Sequence, residues 1–372
     1  MSKRILITGG AGFIGSHLSD ELLEHGYKVR VLDSLLAQVH GMARDRPDYL
    51  NDRVELIKGD VRDKNLVRHA LKGVDAVYHF AARVGVGQSM YEIKEYMEVN
   101  DIGTSVLLEV LSEHPTERLV IASSMSIYGE GMYRDSSSNT CRHVERNRKH
   151  MAEGLWEPMD EKGHQLQPLP TPETKSPSLA SVYALSKYDQ ERLGLIIGQA
   201  YDIPVTALRF FNVYGSRQAL SNPYTGVLAI FSSRYLNNKP PLIFEDGLQQ
   251  RDFVHVKDVA RACRLALETS EAAHNVYNIG SGRSYTIKEI AEKIGRTLNK
   301  PHIKAKVTGK YRAGDIRHCY ADISKAESQL GFSPHISLEE GMEELVDWLV
   351  GRSAADYVDQ AKAELAKKGL TV

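Results

Sequence analysis

The residues best suited to proton chemistry are Tyr183 and Lys187, in the run Tyr183-Ala184-Leu185-Ser186-Lys187. Four residues apart on a helix, they share one face, so an ammonium can stand near a phenol. A free tyrosine ionises near pH ~10, too high for a base at neutral pH. A neighbouring cation favours the phenolate, so the spacing predicts a lowered phenol and makes Tyr183 a candidate proton acceptor. Tyr and Lys also fall four apart on many solvated helices. The pair gains its weight from the elements that must position it.

The first of these elements opens the chain: Arg4-Ile5-Leu6-Ile7-Thr8-Gly9-Gly10-Ala11-Gly12-Phe13-Ile14-Gly15. An apolar strand runs into a glycine turn, and a helix follows with Ile14, Leu18 and Leu22 on one stripe. Such glycines let the backbone turn sharply and approach a pyrophosphate, whose charge meets the helix N-terminus. After His25-Gly26 a second strand, Val29 to Leu32, ends in Asp33, eighteen residues beyond Gly15. That is close to the spacing of an acid that bonds the adenosine ribose, and it disfavours a 2′-phosphate, so NAD is expected over NADP.

Further strands are expected at Val54–Lys58, Ala76–Phe80, Leu119–Ala122 and Val205–Phe210, with helices between them. This alternation predicts an α/β fold, a Rossmann-like doubly wound parallel sheet, and beyond residue 215 strand and helix signals mix, as expected of a smaller mixed α/β C-terminal lobe. Ligands of such sheets lie outside the carboxyl ends of the strands. Asp60 and Val61, Ala81 and Ala82, Ser123 and Ser124, then Phe211 and Asn212 all follow strands. From about Gly129 to Ser181 the pattern breaks into a polar excursion ending in Pro168, Pro170, Pro172 and Pro177, read as a surface lobe or lid. Its Cys141, His143, His150 and His164 do not match closed zinc spacing, so no metal is expected.

The chain has 372 residues, a formal net charge of −1 and 42% apolar residues. Its charge balance argues against nucleic acid or an anionic membrane as partner, and no segment approaches the ~20 apolar residues of a membrane span. The N-terminal apolar run is a strand leading into the glycine turn, so no cleaved signal peptide is expected. Three cysteines, Cys141, Cys263 and Cys319, fit a reducing compartment, and the cytoplasm is expected.

Several motifs carry a resemblance. They are Thr8-Gly9-Gly10-Ala11-Gly12-Phe13-Ile14-Gly15, Gly59-Asp60-Val61, His79-Phe80-Ala81-Ala82, Ser123-Ser124-Met125-Ser126-Ile127-Tyr128-Gly129 and the Tyr183/Lys187 pair. Arg209-Phe210-Phe211-Asn212-Val213-Tyr214-Gly215, Arg251-Asp252-Phe253, Asn278-Ile279-Gly280 and Gly314-Asp315-Ile316-Arg317 follow. Over roughly residues 3–350 the chain resembles the extended short-chain dehydrogenase/reductase family, in its nucleotide-sugar epimerase and dehydratase branch. The resemblance implies an NAD-binding domain over 1–209, with the 130–181 excursion and a return segment 252–279. A nucleotide-sugar-binding lobe would come from 210–251 and 280–350, with a helical tail over 351–372.

By the same resemblance Ser124, Tyr183 and Lys187 are catalytic, Lys187 also bonding the nicotinamide ribose. Gly9, Gly12, Phe13, Ile14, Asp33, Asp60, Val61, Phe80, Ala81 and Ala82 would line the cofactor site, and Asn100 would support the active-site backbone. Asn212, Arg251 and Arg312 would hold a diphosphate, with Asp315 meeting either the nucleoside sugar or those arginines. Arg83 and Tyr224 are further candidates for substrate contact. A homodimer is implied, with helices near Asp101–Leu111 and Tyr183–Ala200 pairing across a two-fold.

The reaction can be narrowed. Dehydratases of this branch carry Asp-Glu directly after the catalytic hydroxyl residue, where this chain has Met125 and Ser126. Neither exchanges a proton near neutral pH, so dehydration is rejected. A 4-epimerase needs no second acid–base pair. Ser124 to Gly131, the excursion, Arg217 to Tyr224 and Gly309 to Arg312 look most like dTDP-L-rhamnose 4-epimerases, which interconvert dTDP-L-rhamnose and dTDP-6-deoxy-L-talose. UDP-glucose or UDP-glucuronate 4-epimerase, a 4-keto nucleotide-sugar reductase and a non-catalytic NAD-binding sensor or scaffold are the alternatives.

Overall fold

Along the first strand Ile5 and Ile7 turn to one face and Leu6 to the other, and all three are fully buried. That pattern marks a strand covered on both sides, as parallel sheets require. A computed structural model describes residues 2–371 except 43, 44, 142, 221, 223, 225, 313 and 350–355. Ser221 and Pro223, from the run compared for sugar type, and the start of the tail at 351–355 lie outside the described residues. Seven parallel strands form the main sheet: β1 (Arg4–Thr8), β2 (Lys28–Asp33), β3 (Glu55–Lys58), β4 (Ala76–His79), β5 (Arg118–Ser124), β6 (Val205–Phe210) and β7 (Asn275–Ile279). Their order is β3-β2-β1-β4-β5-β6-β7.

On one face α1 (Phe13–Glu24) lies with Val256–Glu268, burying Leu18, Leu22, Val259 and Cys263 against Ile5, Val31 and Val120. On the other, Lys64–Ala70 and Gly103–Glu113 bury Val67, Leu107 and Leu111 against Leu6, Val77 and Ile121. The expected strands are found, within two residues at each end. The long helix Val182–Ala200 starts at Ser181, whose side chain accepts from the amide of Ala184 at 3.1 Å and caps its first turn.

Beyond the sheet a second core gathers Phe231, Tyr235, Ile290, Ile294, Met342 and Leu345. The excursion folds as a small antiparallel sheet of Met132–Arg134, Thr140–Cys141 and Gln167–Leu169. It is tied down by charge: buried Arg317 bonds Glu157, Glu245 and Asp246, and Arg146 bonds Glu130 and Glu245. Among the described residues no helix is long and apolar enough to cross a membrane. Nor, among them, do three His, Cys, Asp or Glu side chains gather in a way that could hold a metal ion.

Candidate active site

The order reverses direction at β1, between β2 and β4, and ligands of doubly wound sheets bind at such a switch point. There, outside the carboxyl ends of the strands, lies a cavity of about 780 Å³. Gly9, Gly12, Phe13, Ile14, Asp33, Asp60, Val61, Phe80, Ala81, Ala82, Ser124, Tyr183 and Lys187 all line it, as do Arg83, Asn212 and Tyr224. Residues from eight stretches of chain therefore meet in one space.

One end has the geometry a dinucleotide would need. Gly9 sits at φ +69°, and a Cβ there would lie 2.8 Å from the amide nitrogen of Ala81. Gly12 caps α1 without any side-chain bond, so the first amides of the helix stay available to an anion. Asp33, at the end of β2, accepts from the amides of Ala11 at 3.0 Å and Leu35 at 2.9 Å, which fixes the acid beside the glycine turn. Arg62 clasps Asp60 at 2.8 Å and holds its carboxyl below the ordinary range. The Cβ of any other residue at position 15 would sit 2.5 Å from the Cα of Gly10, and backbone cannot give way. Gly15→Ala should therefore yield protein with little NAD after gel filtration, read by absorbance after denaturation. A full complement of NAD would contradict the cradle.

At the other end Tyr183 and Lys187 project from consecutive turns of Val182–Ala200. The amide of Tyr183 donates to Ser89 Oγ at 3.0 Å, and its ring meets Tyr96 edge-on, with centroids 6.5 Å apart. Lys187 Nζ donates to Gln190 Oε1 at 2.6 Å. Gln190 in turn reaches Thr104 Oγ1 at 2.8 Å and His79 Nε2 at 3.2 Å, while His79 Nδ1 lies 2.8 Å from Thr8 Oγ1. Burial pulls His79 down to about 3, so the ring is neutral. This buried polar chain joins the glycine turn to the lysine.

The lowered phenol expected from the Tyr183/Lys187 spacing is not found. Burial pushes Tyr183 up, and a hydrogen bond with Ser124 offsets this only in part. The reason is desolvation, which also draws Lys187 down to about 7 against the pull of Glu191 and Asp101. A lysine titrating there supplies only part of a charge at neutral pH.

The substrate candidates divide. Asn212 Oδ1 is buried and has no hydrogen-bond partner among the described residues, a polar atom left over in the cavity wall. Arg83 is held by Glu92 at 2.6 Å, and Tyr224 Oη lies 2.6 Å from Tyr91 Oη. Arg251, Arg312 and Asp315 do not line the cavity. Arg251 donates to the carbonyls of Gln250, Ile316 and Arg317. Arg312 bonds Asp315 at 2.8 Å and lies over the ring of Phe244, 4.7 Å from its centroid. Asp315 stands against both arginines. Burial raises its carboxyl, but Arg312 and Arg251 outweigh that and leave it lowered. Asn100 is also absent from the wall. It lies behind it, accepting from the amide of Arg83 at 2.7 Å and donating to its carbonyl at 3.1 Å.

Sequence reasoning passed over Ser89, Thr104 and Gln190. Gln190 is three residues past Lys187 on the same helix, so a helical-face reading could have found it. Ser89 is 94 residues from its partner Tyr183 and leaves no local signal.

The NAD dependent epimerase/dehydratase family matches residues 5–153 and 158–280. A dTDP-L-rhamnose 4-epimerase of Burkholderia thailandensis is 34% identical over 93% of this chain and 95% of its own. A putative UDP-glucose 4-epimerase of Methanocaldococcus jannaschii is also 34% identical, over 93% of this chain and 98% of its own. Among solved structures, the UDP-glucuronic acid 4-epimerase of Bacillus cereus with UDP-glucuronic acid and NAD superimposes with a TM-score of 0.74. It is 28% identical, covering 93% of this chain and 99% of that one.

Proposed function

Because this chain belongs to the NAD dependent epimerase/dehydratase family, we propose that it is a nucleotide-sugar 4-epimerase acting through a transient 4-keto sugar, on dTDP-L-rhamnose and dTDP-6-deoxy-L-talose. One observation carries the reading. Ser124, Tyr183 and Lys187 face the same cavity as the glycine turn and Asp33, with Met125 and Ser126 beside them in the wall. Ser126 Oγ takes a hydrogen bond from Ser124 Oγ at 3.1 Å, so the position after the serine pair holds no acid or base.

NAD is the cofactor, and it supplies a hydride acceptor and donor together with a positive ring charge when oxidised. Tyr183 Oη takes the proton of the sugar 4-hydroxyl and later returns one to the same oxygen. Ser124 Oγ bonds that oxygen and steadies it. Lys187, held by Gln190, favours the phenolate when its own amine is protonated. Asn212 offers its spare amide oxygen to the substrate end, while Arg251 and Arg312 would clamp the diphosphate only on turning from the carbonyls and the carboxylate they now bond. Asp60 and Val61 take the adenine side, and Phe80, Ala81 and Ala82 the middle of the cofactor, behind which Asn100 braces the backbone. Ser124→Ala should lower kcat on the order of 10²-fold, with NAD content unchanged. A serine variant with normal kcat would remove Ser124 from the mechanism.

The second reading is a UDP-glucose 4-epimerase, favoured by the equal identity of the archaeal relative. A panel of dTDP- and UDP-sugars separates the two. We place the enzyme in the cytoplasm, where its three free cysteines stay reduced. We also propose a homodimer. Ile102 is 54% exposed, Leu185 38% and Ile196 52%, on adjacent helices. Light scattering at micromolar concentration should give twice the chain mass, and a monomer would refute the pairing.

A further inference from the structure

Resting on the nucleotide-sugar reading, we propose that residues 356–371 form a strap that positions the sugar-nucleotide end of the cavity and sets affinity for substrate rather than for NAD. The segment is fastened at three places. At its start Asp356 and Asp359 take hydrogen bonds from Arg234 Nη1 at 3.1 and 2.7 Å, and Lys239 Nζ lies 3.0 Å from Asp356. Arg234 belongs to the helix Val227–Leu236, whose first residues line the cavity.

In the middle, the helix Val358–Lys367 buries Ala361 and Leu365. A Cβ on Gly87 would lie 3.4 Å from Leu365 Cδ2, so the leucine rests directly on the short helix Val86–Ser89. That short helix both walls the cavity through Val86 and holds the amide of Tyr183 through Ser89. Just beyond, Lys368 Nζ stands 5.9 Å from the ring centroid of Tyr91, the partner of Tyr224 in the cavity wall. At the end, Thr371 pairs with Arg312 in an antiparallel bridge. Its Oγ1 is enclosed without a partner among the described residues. The strap thus bears on Tyr91, the partner of Tyr224, and on the backbone of Arg312.

Two variants undock it by different means. Leu365→Asp places a carboxylate in the seat on Gly87, and the double change Asp356→Asn with Asp359→Asn removes the anchors of Arg234. Trypsin cleavage at Lys362, Lys367 or Lys368 reports release of the strap, and thermal melts report the remaining fold. Either released form should raise KM for the nucleotide-sugar about tenfold, with kcat changed less than about threefold and NAD per chain unchanged. Calorimetry with UDP and dTDP reads the same loss without any turnover. A wrong sugar assignment and a wrong strap therefore give different results. A released strap with unchanged KM and nucleotide affinity overturns the proposal. So does a strap that stays protected in both variants.

Discussion

Tyr183→Phe is expected to lower turnover on the order of 10³-fold or more while NAD stays bound. The change removes one oxygen and little else. Tyr183 is buried, and its ring packs edge-on against Tyr96, a contact that phenylalanine keeps. The backbone bond to Ser89 survives as well, so the helix should not move. Burial raises the phenol, and no neighbouring hydroxyl can replace it as the base. Ser124 is not a substitute, since an aliphatic hydroxyl does not ionise near neutral pH. The measurement is kcat on the working nucleotide-sugar, paired with NAD released on denaturation. Activity near wild type would remove the tyrosine from the chemistry.

The largest effect on stability is expected from Glu191→Ala. Glu191 lies one turn past Lys187 and receives Arg209 through two bonds, at 2.6 and 3.0 Å. Ser123 Oγ donates to the same carboxylate at 2.6 Å. Arg209 is buried and also bonds Tyr128 Oη at 2.9 Å, which in turn donates to Asn278 Oδ1 at 2.7 Å. These contacts tie Val182–Ala200 to β5, β6 and β7. Removing the carboxylate strands a buried guanidinium, which typically costs about 3–5 kcal/mol. Glu191→Gln should cost less, because it keeps an acceptor. Urea unfolding of the three proteins checks this, and a loss below about 1 kcal/mol for the alanine variant would contradict the account.

The fold and the gathering of the glycine turn and Asp33 at one cavity were legible because their signals are local. Strand alternation, the glycine turn and Asp33 each lie within one supersecondary unit, and their geometry follows from spacing alone. The protonation of Tyr183 was not legible in that way. Four-residue spacing places Lys187 near the phenol, but the burial of both groups depends on segments far along the chain, and burial outweighs proximity. The arginines show the same limit. Arg251 and Arg312 could be named from motifs, yet whether a guanidinium faces the cavity or a carbonyl depends on how Ile316 and Arg317 pass beside it. The tail was legible as a helix from Val358, Ala361 and Leu365. Its seat on Gly87 was not, because glycine carries no pattern that marks it as a docking point.

The most direct test is to purify the protein, add no cofactor, incubate it with dTDP- and UDP-linked sugars, and follow the C4 proton by NMR. The account predicts that one sugar, first of all dTDP-L-rhamnose, converts to a mixture of its C4 epimers over many turnovers on the NAD already bound. A protein that leaves every C4 centre unchanged, or that turns over only when reduced cofactor is supplied in stoichiometric amounts, would contradict it.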